Sequence, residues 1–125
     1  MTNTNTEKVH AEMVTRLVKP GQEILYTLSA RKVNLWHAAT GISGEAGELL
    51  DNIKRHVVYN KPFDRDNLVE ELGDLEFYME QIRQETGITR EETLQQNHVK
   101  LADKDKGRYA QGYSDEAALN RADKK

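Results

Sequence analysis

Cysteine is absent from the 125-residue sequence, and proline occurs only twice. The absence of cysteine excludes disulfide bonds, thiolate zinc sites and cysteine nucleophiles. Aromatic residues make up only 6% of the chain, so a core must be built mainly from aliphatic side chains, which fits helices better than sheets. No apolar run approaches the roughly 18 residues of a membrane-spanning helix, and the first residues do not have the pattern of a signal peptide. We therefore expect a cytoplasmic protein.

Neither sign of charge dominates the sequence, because 18 Lys and Arg residues stand against 21 Asp and Glu residues, for a net charge of -3 at pH 7. A nucleic-acid-binding protein usually carries a basic excess, which this chain lacks. The composition, with 37% hydrophobic and 31% charged residues, is that of one globular domain. We expect neither a nucleic-acid partner nor a membrane, and the locally basic stretch KLADKDKGRY suggests small anions as ligands.

Glycine and proline divide the sequence into helical segments, and no segment has the pattern of a strand. The predicted helices cover residues 6–18, 24–28, 30–58, 67–86 and 90–104, with a short one after Ser114. We divide the chain into an N-terminal helical segment, a helical core, and a C-terminal loop with a short helix, at residues 1–28, 29–105 and 106–125. These patterns predict an all-α protein, a four-helix-type bundle built around a long helical hairpin and completed by oligomerisation.

Local signals mark the ends of the core helices. The segment YNKPFDR is predicted to be a loop, because its proline forces an extended residue before it, and either Asp64 or Asp66 can cap the helix that follows. Gly87 is expected to end that helix in a left-handed conformation. Thr89 and Glu92 then form a capping box that opens the next helix. The two long helices on either side of the loop must therefore form the hairpin.

Two pairs of carboxylates lie on these long helices. The stretch GISGEAGELLDNIK, residues 41–54, places Glu45 and Glu48 one turn apart, and ELGD places Glu71 and Asp74 at the same spacing on the next helix. On helical wheels drawn at about 100° per residue, the four acids border the apolar stripes of their helices. A hairpin that packs the two stripes together can bring all four acids to one edge.

Four like charges in a partly dehydrated groove repel one another, and cations relieve that repulsion. Carboxylate oxygens select hard ions, so the sequence predicts Mg²⁺, with Mn²⁺ able to substitute. A glycine inside a helix costs about 1 kcal/mol relative to alanine, and we interpret Gly41, Gly44 and Gly73 as room beside the carboxylates. Of the second pair, Glu71 is nearer the leucine seam than Asp74 and is expected to be the more buried.

The two motifs, EAGE at 45–48 and ELGD at 71–74, resemble those of the MazG-like family of all-α nucleoside triphosphate pyrophosphohydrolases. The similarity covers roughly residues 30–122. It implies Mg²⁺-dependent hydrolysis of a nucleoside triphosphate, with a dNTP the expected substrate, to a monophosphate and pyrophosphate. It also implies a homodimer or homotetramer, in a bacterial or phage-infected cell. Some members carry a further glutamate where this chain has Gly44, so the number of ions and the identity of the general base stay open.

The resemblance also suggests residues that contact the substrate. Asn97 and Lys100, one turn apart in NHVK, match a substrate-binding pair of the family. His37 shares the acid-bearing edge of its helix and is a candidate for the base pocket. Other cationic side chains are candidates for phosphate contacts, namely Lys54, Arg55, Lys61 and Arg108. Trp36 points to the other side of its helix, and we assign it to packing or to a subunit contact.

Two alternatives have different sequence requirements. A carboxylate-bridged di-iron bundle needs two ExxH motifs, and only the stretch from Glu7 to His10 fits. A non-enzymatic helical interaction module would use its leucine seam to bind a partner helix, but it has no need for carboxylates beside glycines. The preferred base and sugar cannot be inferred from the motifs.

Overall fold

The computed structural model describes residues 3–121, and every regular element in that range is an α-helix. The helices are α1 (Asn3–Leu17), α2 (Gly21–Thr27), α3 (Ala30–Val57), α4 (Arg65–Thr86), α5 (Arg90–Ala102) and α6 (Asp115–Asn120). The prediction of an all-α protein is confirmed. None of these helices is long and apolar enough to span a lipid bilayer. Within this range the chain divides into two compact units, the first ending at Val33 and the second beginning at Asn34.

The first unit contains α1, α2 and the first turn of α3. Both short helices begin earlier than the sequence predicted: α1 already includes Asn3, and α2 starts at Gly21, directly after the extended Pro20. Proline has no backbone N–H group, and at the start of a helix this group would have no helical partner. Pro20 can therefore stand directly before α2, which explains its early start. The hydroxyl of Ser29 accepts a hydrogen bond of 3.2 Å from the backbone N–H of Lys32, so it caps α3.

In the second unit, the predicted caps lie where the sequence places them. Asp64 caps α4 by accepting a 3.0 Å hydrogen bond from the backbone N–H of Asn67, so the helix starts slightly before the predicted position. Gly87 ends α4 with φ 75°, a left-handed conformation that glycine adopts without strain. Thr89 and Glu92 form both hydrogen bonds of the capping box at the start of α5.

Helix α5 ends two residues before the predicted position because the chain turns at Asp103. The carboxylate of Asp103 accepts hydrogen bonds from the backbone N–H groups of Asp105 and Lys106, at 2.9 and 2.8 Å. Gly107 closes this turn so tightly that a Cβ there would lie 2.7 Å from the backbone N and O of Asp103. The following residue, Arg108, then donates its backbone N–H to the carbonyl of Lys100.

Helices α3 and α4 form the predicted antiparallel hairpin, and three contacts define its register. Asn34 donates to Glu85 at 3.2 Å near the open end, and Asn52 donates to Asn67 at 2.7 Å near the loop. Between them, the backbone of Gly41 lies against the ring of Tyr78. Because these pairs follow one antiparallel register, Glu45 is level with Asp74, and Glu48 is level with Glu71.

The hairpin contact lies nearer the carboxylates than the helical wheels predicted. The wheel placed Glu45 at the edge of an apolar arc centred about 90° away. In the structure, the two most buried residues of α3 are Ala38 and Asn52, seven residues before and after Glu45 on the same side of the helix. Leu72 and Met79 of the α4 seam are in contrast 47% and 37% exposed. The two helices therefore contact each other through their polar edges, and part of each apolar stripe stays uncovered.

Candidate active site

Three of the four predicted carboxylates converge in the middle of the hairpin. Glu45 of α3 and Glu71 and Asp74 of α4 each offer an oxygen atom, and these atoms all lie within 4.8 Å of one another. Glu45 and Glu71 are partly buried, whereas Asp74 is exposed. The greater burial of Glu71 relative to Asp74 agrees with the sequence analysis. Glu48 is exposed and lies outside this trio, although its charge acts on Glu45.

The electrostatics of the trio follow from this convergence. Partial desolvation, followed by the negative charges of Asp74, Glu71 and Glu48, raises the pKa of Glu45. A hydrogen bond between the side chains of Glu45 and Glu71 acts in the same direction. Without a counter-ion, Glu45 therefore keeps its proton to a higher pH than an unperturbed glutamate does. A cation among these oxygens would offset the repulsion that contributes to the shift.

The donor set fits a hard divalent cation. All three converging groups are carboxylates, and the sequence holds no cysteine that would favour a softer metal. Mg²⁺ binds through one or two carboxylates and retains waters and phosphate oxygens as its other ligands. The exposed side of the trio, at Asp74, leaves room for those ligands.

Glu71 has a second partner, which sequence analysis did not identify. The side-chain amide of Asn67, one turn earlier on α4, donates to Glu71 Oε1 at 3.3 Å. Asn67 in turn accepts a hydrogen bond of 2.7 Å from Asn52 of α3. A sequence signal for Asn52 existed, because it lies seven residues after Glu45 on the same side of the helix. The wheel placed it beside Glu45, but gave no reason to assign it a partner.

Aromatic side chains line the hairpin next to the trio. Tyr78, one turn after Asp74, packs against the backbone of Gly41 and makes edge-to-face contacts with the rings of His37 and Phe77. The centroids of His37 and Tyr78 are 6.0 Å apart. His37 therefore lies beside Tyr78, and its side chain is exposed. Its assignment to the base pocket stays a prediction.

Only one of the three glycines interpreted as room has a close neighbour. A Cβ on Gly41 would lie 2.5 Å from three ring atoms of Tyr78, so its neighbour is an aromatic ring and not a carboxylate. Gly44 and Gly73 would have nothing within 4 Å of an added Cβ. No neighbouring atom within the chain therefore requires glycine at these two positions. The packing does not support the interpretation that Gly44 and Gly73 make room beside the carboxylates.

The predicted substrate-binding residues lie on α5 and at helix ends. Asn97 and Lys100 line one shallow groove on α5, together with Ile88 and Thr93. Arg108 joins this region through the hydrogen bond from its backbone N–H to the carbonyl of Lys100.

Near the end of α3, the ammonium of Lys54 lies 5.7 Å from the ring centroid of Tyr59. Arg55 forms an ion pair of 3.0 Å with Asp51. Lys61 is exposed in the loop before α4. Each of these cationic groups stays a candidate for a phosphate contact.

Comparison with protein families matches residues 37–109, more than half of the chain, to the MazG nucleotide pyrophosphohydrolase domain. The matched range contains both carboxylate motifs, all of α4 and α5, and α3 from His37 onward. Comparisons with curated proteins and with solved structures give no match. Domains of this family are all-α and typically depend on a divalent metal, in agreement with the helical fold and the converging carboxylates. The chain belongs to the MazG nucleotide pyrophosphohydrolase domain family.

Proposed function

We propose that this protein hydrolyses a nucleoside triphosphate, with dNTPs the first candidates, to a nucleoside monophosphate and pyrophosphate, and that the reaction requires Mg²⁺. The observation that carries the proposal is the convergence of Glu45, Glu71 and Asp74 in a chain of this family. Mn²⁺ is expected to substitute for Mg²⁺, because both accept all-oxygen ligands.

In this proposal, Glu45, Glu71 and Asp74 hold the cation, and Glu48 adds a fourth carboxylate from the neighbouring turn. When bound, Mg²⁺ would supply positive charge that offsets the negative charge developing on the phosphate groups. Water attacks one phosphorus atom of the α–β linkage, and the bond from that atom to the bridging oxygen breaks, which yields the monophosphate and pyrophosphate. One of the four carboxylates accepts the proton of the attacking water, directly or through a second water.

Positive charge for the triphosphate would come from outside the carboxylate trio. Lys100 and Arg108 are neighbours in the structure through their backbone hydrogen bond, and Asn97 lines the same groove as Lys100. We assign these three residues to phosphate and sugar contacts, and Lys54 to a further phosphate contact. His37, beside Tyr78, is assigned to the nucleoside.

A second copy of the chain is the expected partner. On α3, the side chains of Trp36, Leu50 and Val57 point away from α4 and are 67%, 68% and 70% exposed. They fall within about 60° of one another on the helical wheel, which makes them one apolar stripe. Monomeric soluble proteins rarely leave large contiguous apolar patches exposed. We propose that this stripe packs against the same stripe of another subunit in a homodimer, with a homotetramer as the alternative.

The activity is tested by incubating the purified protein with each of the eight common NTPs and dNTPs, with and without Mg²⁺. We expect pyrophosphate release from at least one of them, only in the presence of Mg²⁺ or Mn²⁺, and the screen also identifies the preferred base and sugar. Glu45→Gln, which keeps the shape of the side chain but removes its charge, is the matched negative control. Orthophosphate as the first product would indicate a phosphatase and would contradict the proposal.

A further inference from the structure

Asn52 is the one polar residue that is buried in the described part of the chain, with 5% of its surface exposed. It lies on the hairpin-facing side of α3. Its Nδ2 group donates to Asn67 Oδ1 at 2.7 Å and makes a longer contact of 3.4 Å with the carbonyl of Asp64. Its own Oδ1 atom is buried without a hydrogen-bond partner in the structure. A buried amide with an unpaired acceptor contributes less to folding than a well-paired one.

The hydrogen bonds of Asn52 continue to the carboxylate trio. Asn67 accepts from Asn52 with its oxygen and donates with its nitrogen to Glu71 Oε1 at 3.3 Å. The backbone N–H of Asn67 is held separately, by the cap from Asp64 at 3.0 Å. The backbone of Asn67 is thus held by Asp64, and its side chain is held by Asn52. This leaves its amide little freedom to turn away from Glu71.

The direction of these hydrogen bonds is set by the charge of Glu71. An ionised carboxylate only accepts hydrogen bonds, so Asn67 must present its nitrogen to Glu71 and its oxygen to Asn52. Asn52 must then present its nitrogen, which leaves its oxygen facing the interior. With both amides turned around, Asn67 Oδ1 would face Glu71 Oε1, and the two acceptors would repel each other. The unpaired oxygen of Asn52 is therefore a consequence of its orientation toward Asn67.

We infer that Asn52 is a positioning residue, which acts through Asn67 to hold the carboxylate of Glu71 in the orientation that binds the cation. The inference rests on the proposed function, since it concerns the same metal site. Residues that orient metal ligands in this way typically change metal affinity or activity about 10- to 100-fold when they are removed. A residue with only a structural role would instead change the stability of the fold.

The test measures the dissociation constant for Mn²⁺ by calorimetry, and the unfolding temperature in parallel. Asn52→Leu keeps roughly the volume of the side chain and removes both amide atoms. We expect it to weaken Mn²⁺ binding about tenfold without lowering the unfolding temperature, because the unpaired buried oxygen is removed as well. If Asn52→Leu does not fold, Asn52→Ala removes the same amide with a smaller side chain and is expected to weaken Mn²⁺ binding equally.

A double-mutant cycle separates positioning from a direct effect. If Asn52 acts only through Asn67, the variant with both Asn52→Leu and Asn67→Ala binds Mn²⁺ no more weakly than Asn67→Ala alone. Asn34→Leu is the control, because the side-chain amide of Asn34 also donates a hydrogen bond across the hairpin, to Glu85, away from the trio. This control is expected to leave Mn²⁺ binding unchanged.

Three results would overturn the inference: Mn²⁺ binding by Asn52→Leu within twofold of the wild type, losses that multiply in the double variant, or an equal loss in Asn34→Leu. Failure of the proposed activity gives a different result. Wild-type protein that binds Mn²⁺ but releases no pyrophosphate from any nucleotide would contradict the proposed activity. The double-mutant cycle, which measures Mn²⁺ affinity, would still test the role of Asn52. Wild-type protein that binds no Mn²⁺ would overturn both.

Discussion

The ring of Tyr78 lies against the backbone of Gly41, at a point where any larger residue on α3 would collide with it. An added Cβ would lie 2.5 Å from Cγ as well as from two other atoms of the ring. The contact includes Cγ, the ring atom bonded to Cβ. Rotation of the ring does not move Cγ away, so it cannot relieve the collision. The edge-to-face contacts of Tyr78 with His37 and Phe77 hold the ring from other directions.

Gly41→Ala is therefore expected to destabilise the protein. The collision should cost about 1–3 kcal/mol, as overpacking does in other cores, and this outweighs the gain of about 1 kcal/mol from higher helix propensity. Thermal unfolding followed by circular dichroism measures the change. Gly44→Ala is the matched control, because nothing lies within 4 Å of its added Cβ, and it should be stable or slightly stabilised. If Gly44→Ala destabilised the protein and Gly41→Ala did not, the contact with Tyr78 would not be what makes glycine necessary at position 41.

Glu71 is expected to be the carboxylate most sensitive to substitution. It is more buried than Asp74, it approaches Glu45 and it accepts a hydrogen bond from Asn67. Glu71→Gln should reduce pyrophosphate release about 100-fold or more while helicity is kept, because a cation ligand is lost without a change of shape. Steady-state kinetics together with circular dichroism test this expectation.

Glu70→Gln is the control for Glu71→Gln, since Glu70 is exposed and is not one of the converging carboxylates. It is expected to keep wild-type activity. Equal losses in the two variants would show that the assignment of Glu71 to the site is wrong.

The raised pKa of Glu45 predicts how the stability of the metal-free protein depends on pH. Desolvation and the neighbouring carboxylates shift this pKa above its ordinary value of 4.5. The folded protein therefore binds the proton of Glu45 more tightly than the unfolded chain does. The resulting stabilisation is fully present below pH 4.5 and is lost as the pH rises through the raised pKa.

Thermal unfolding of Glu45→Gln and of the wild type, both without metal, tests this dependence. The unfolding temperature of the variant should exceed that of the wild type increasingly between pH 4.5 and 7. Asp103, whose pKa is lowered by hydrogen bonds from the backbone of Lys106 and Asp105, has the opposite effect at lower pH, and it cancels because both proteins contain it. Mg²⁺ should raise the unfolding temperature of the wild type at pH 7. A difference that does not change with pH would contradict the prediction.

The exposed stripe on α3 predicts the oligomeric state. Leu50 lies within this stripe and is 68% exposed. Leu50→Lys would place a charge in the proposed contact between subunits. Light scattering should give at least twice the 14.3 kDa of one chain for the wild type, and a shift toward the single-chain mass for the variant. Leu119→Lys, at an 84% exposed position of α6, is the control and should not change the mass. A wild-type mass of 14.3 kDa at micromolar concentration would contradict the proposed assembly.

The helices and most of their ends could be predicted from the amino-acid sequence, and three of the four carboxylates predicted to converge do so. Helix caps such as Asp64 and Thr89, and the one-turn spacing within each acidic pair, depend on contacts three or four residues apart, so they can be read from neighbouring letters. The antiparallel hairpin followed from the short loop between two long helices. The proximity of Glu45 to Glu71 and Asp74 followed from the hairpin.

The rotation of each long helix about its own axis is fixed by tertiary packing and could not be predicted from the sequence. That rotation depends on which side chains of one helix fit between those of the other, and an apolar stripe wider than one partner can cover permits several rotations. The structure selects the rotation in which Ala38 and Asn52 are buried and Tyr78 lies on Gly41. The same rotation leaves Glu48 outside the trio and much of the apolar stripe exposed. The hydrogen bond from Asn52 to Asn67 exists only in this rotation, because it joins side chains of two different helices, which must meet within about 3 Å. Through it, Asn52 is linked to Glu71.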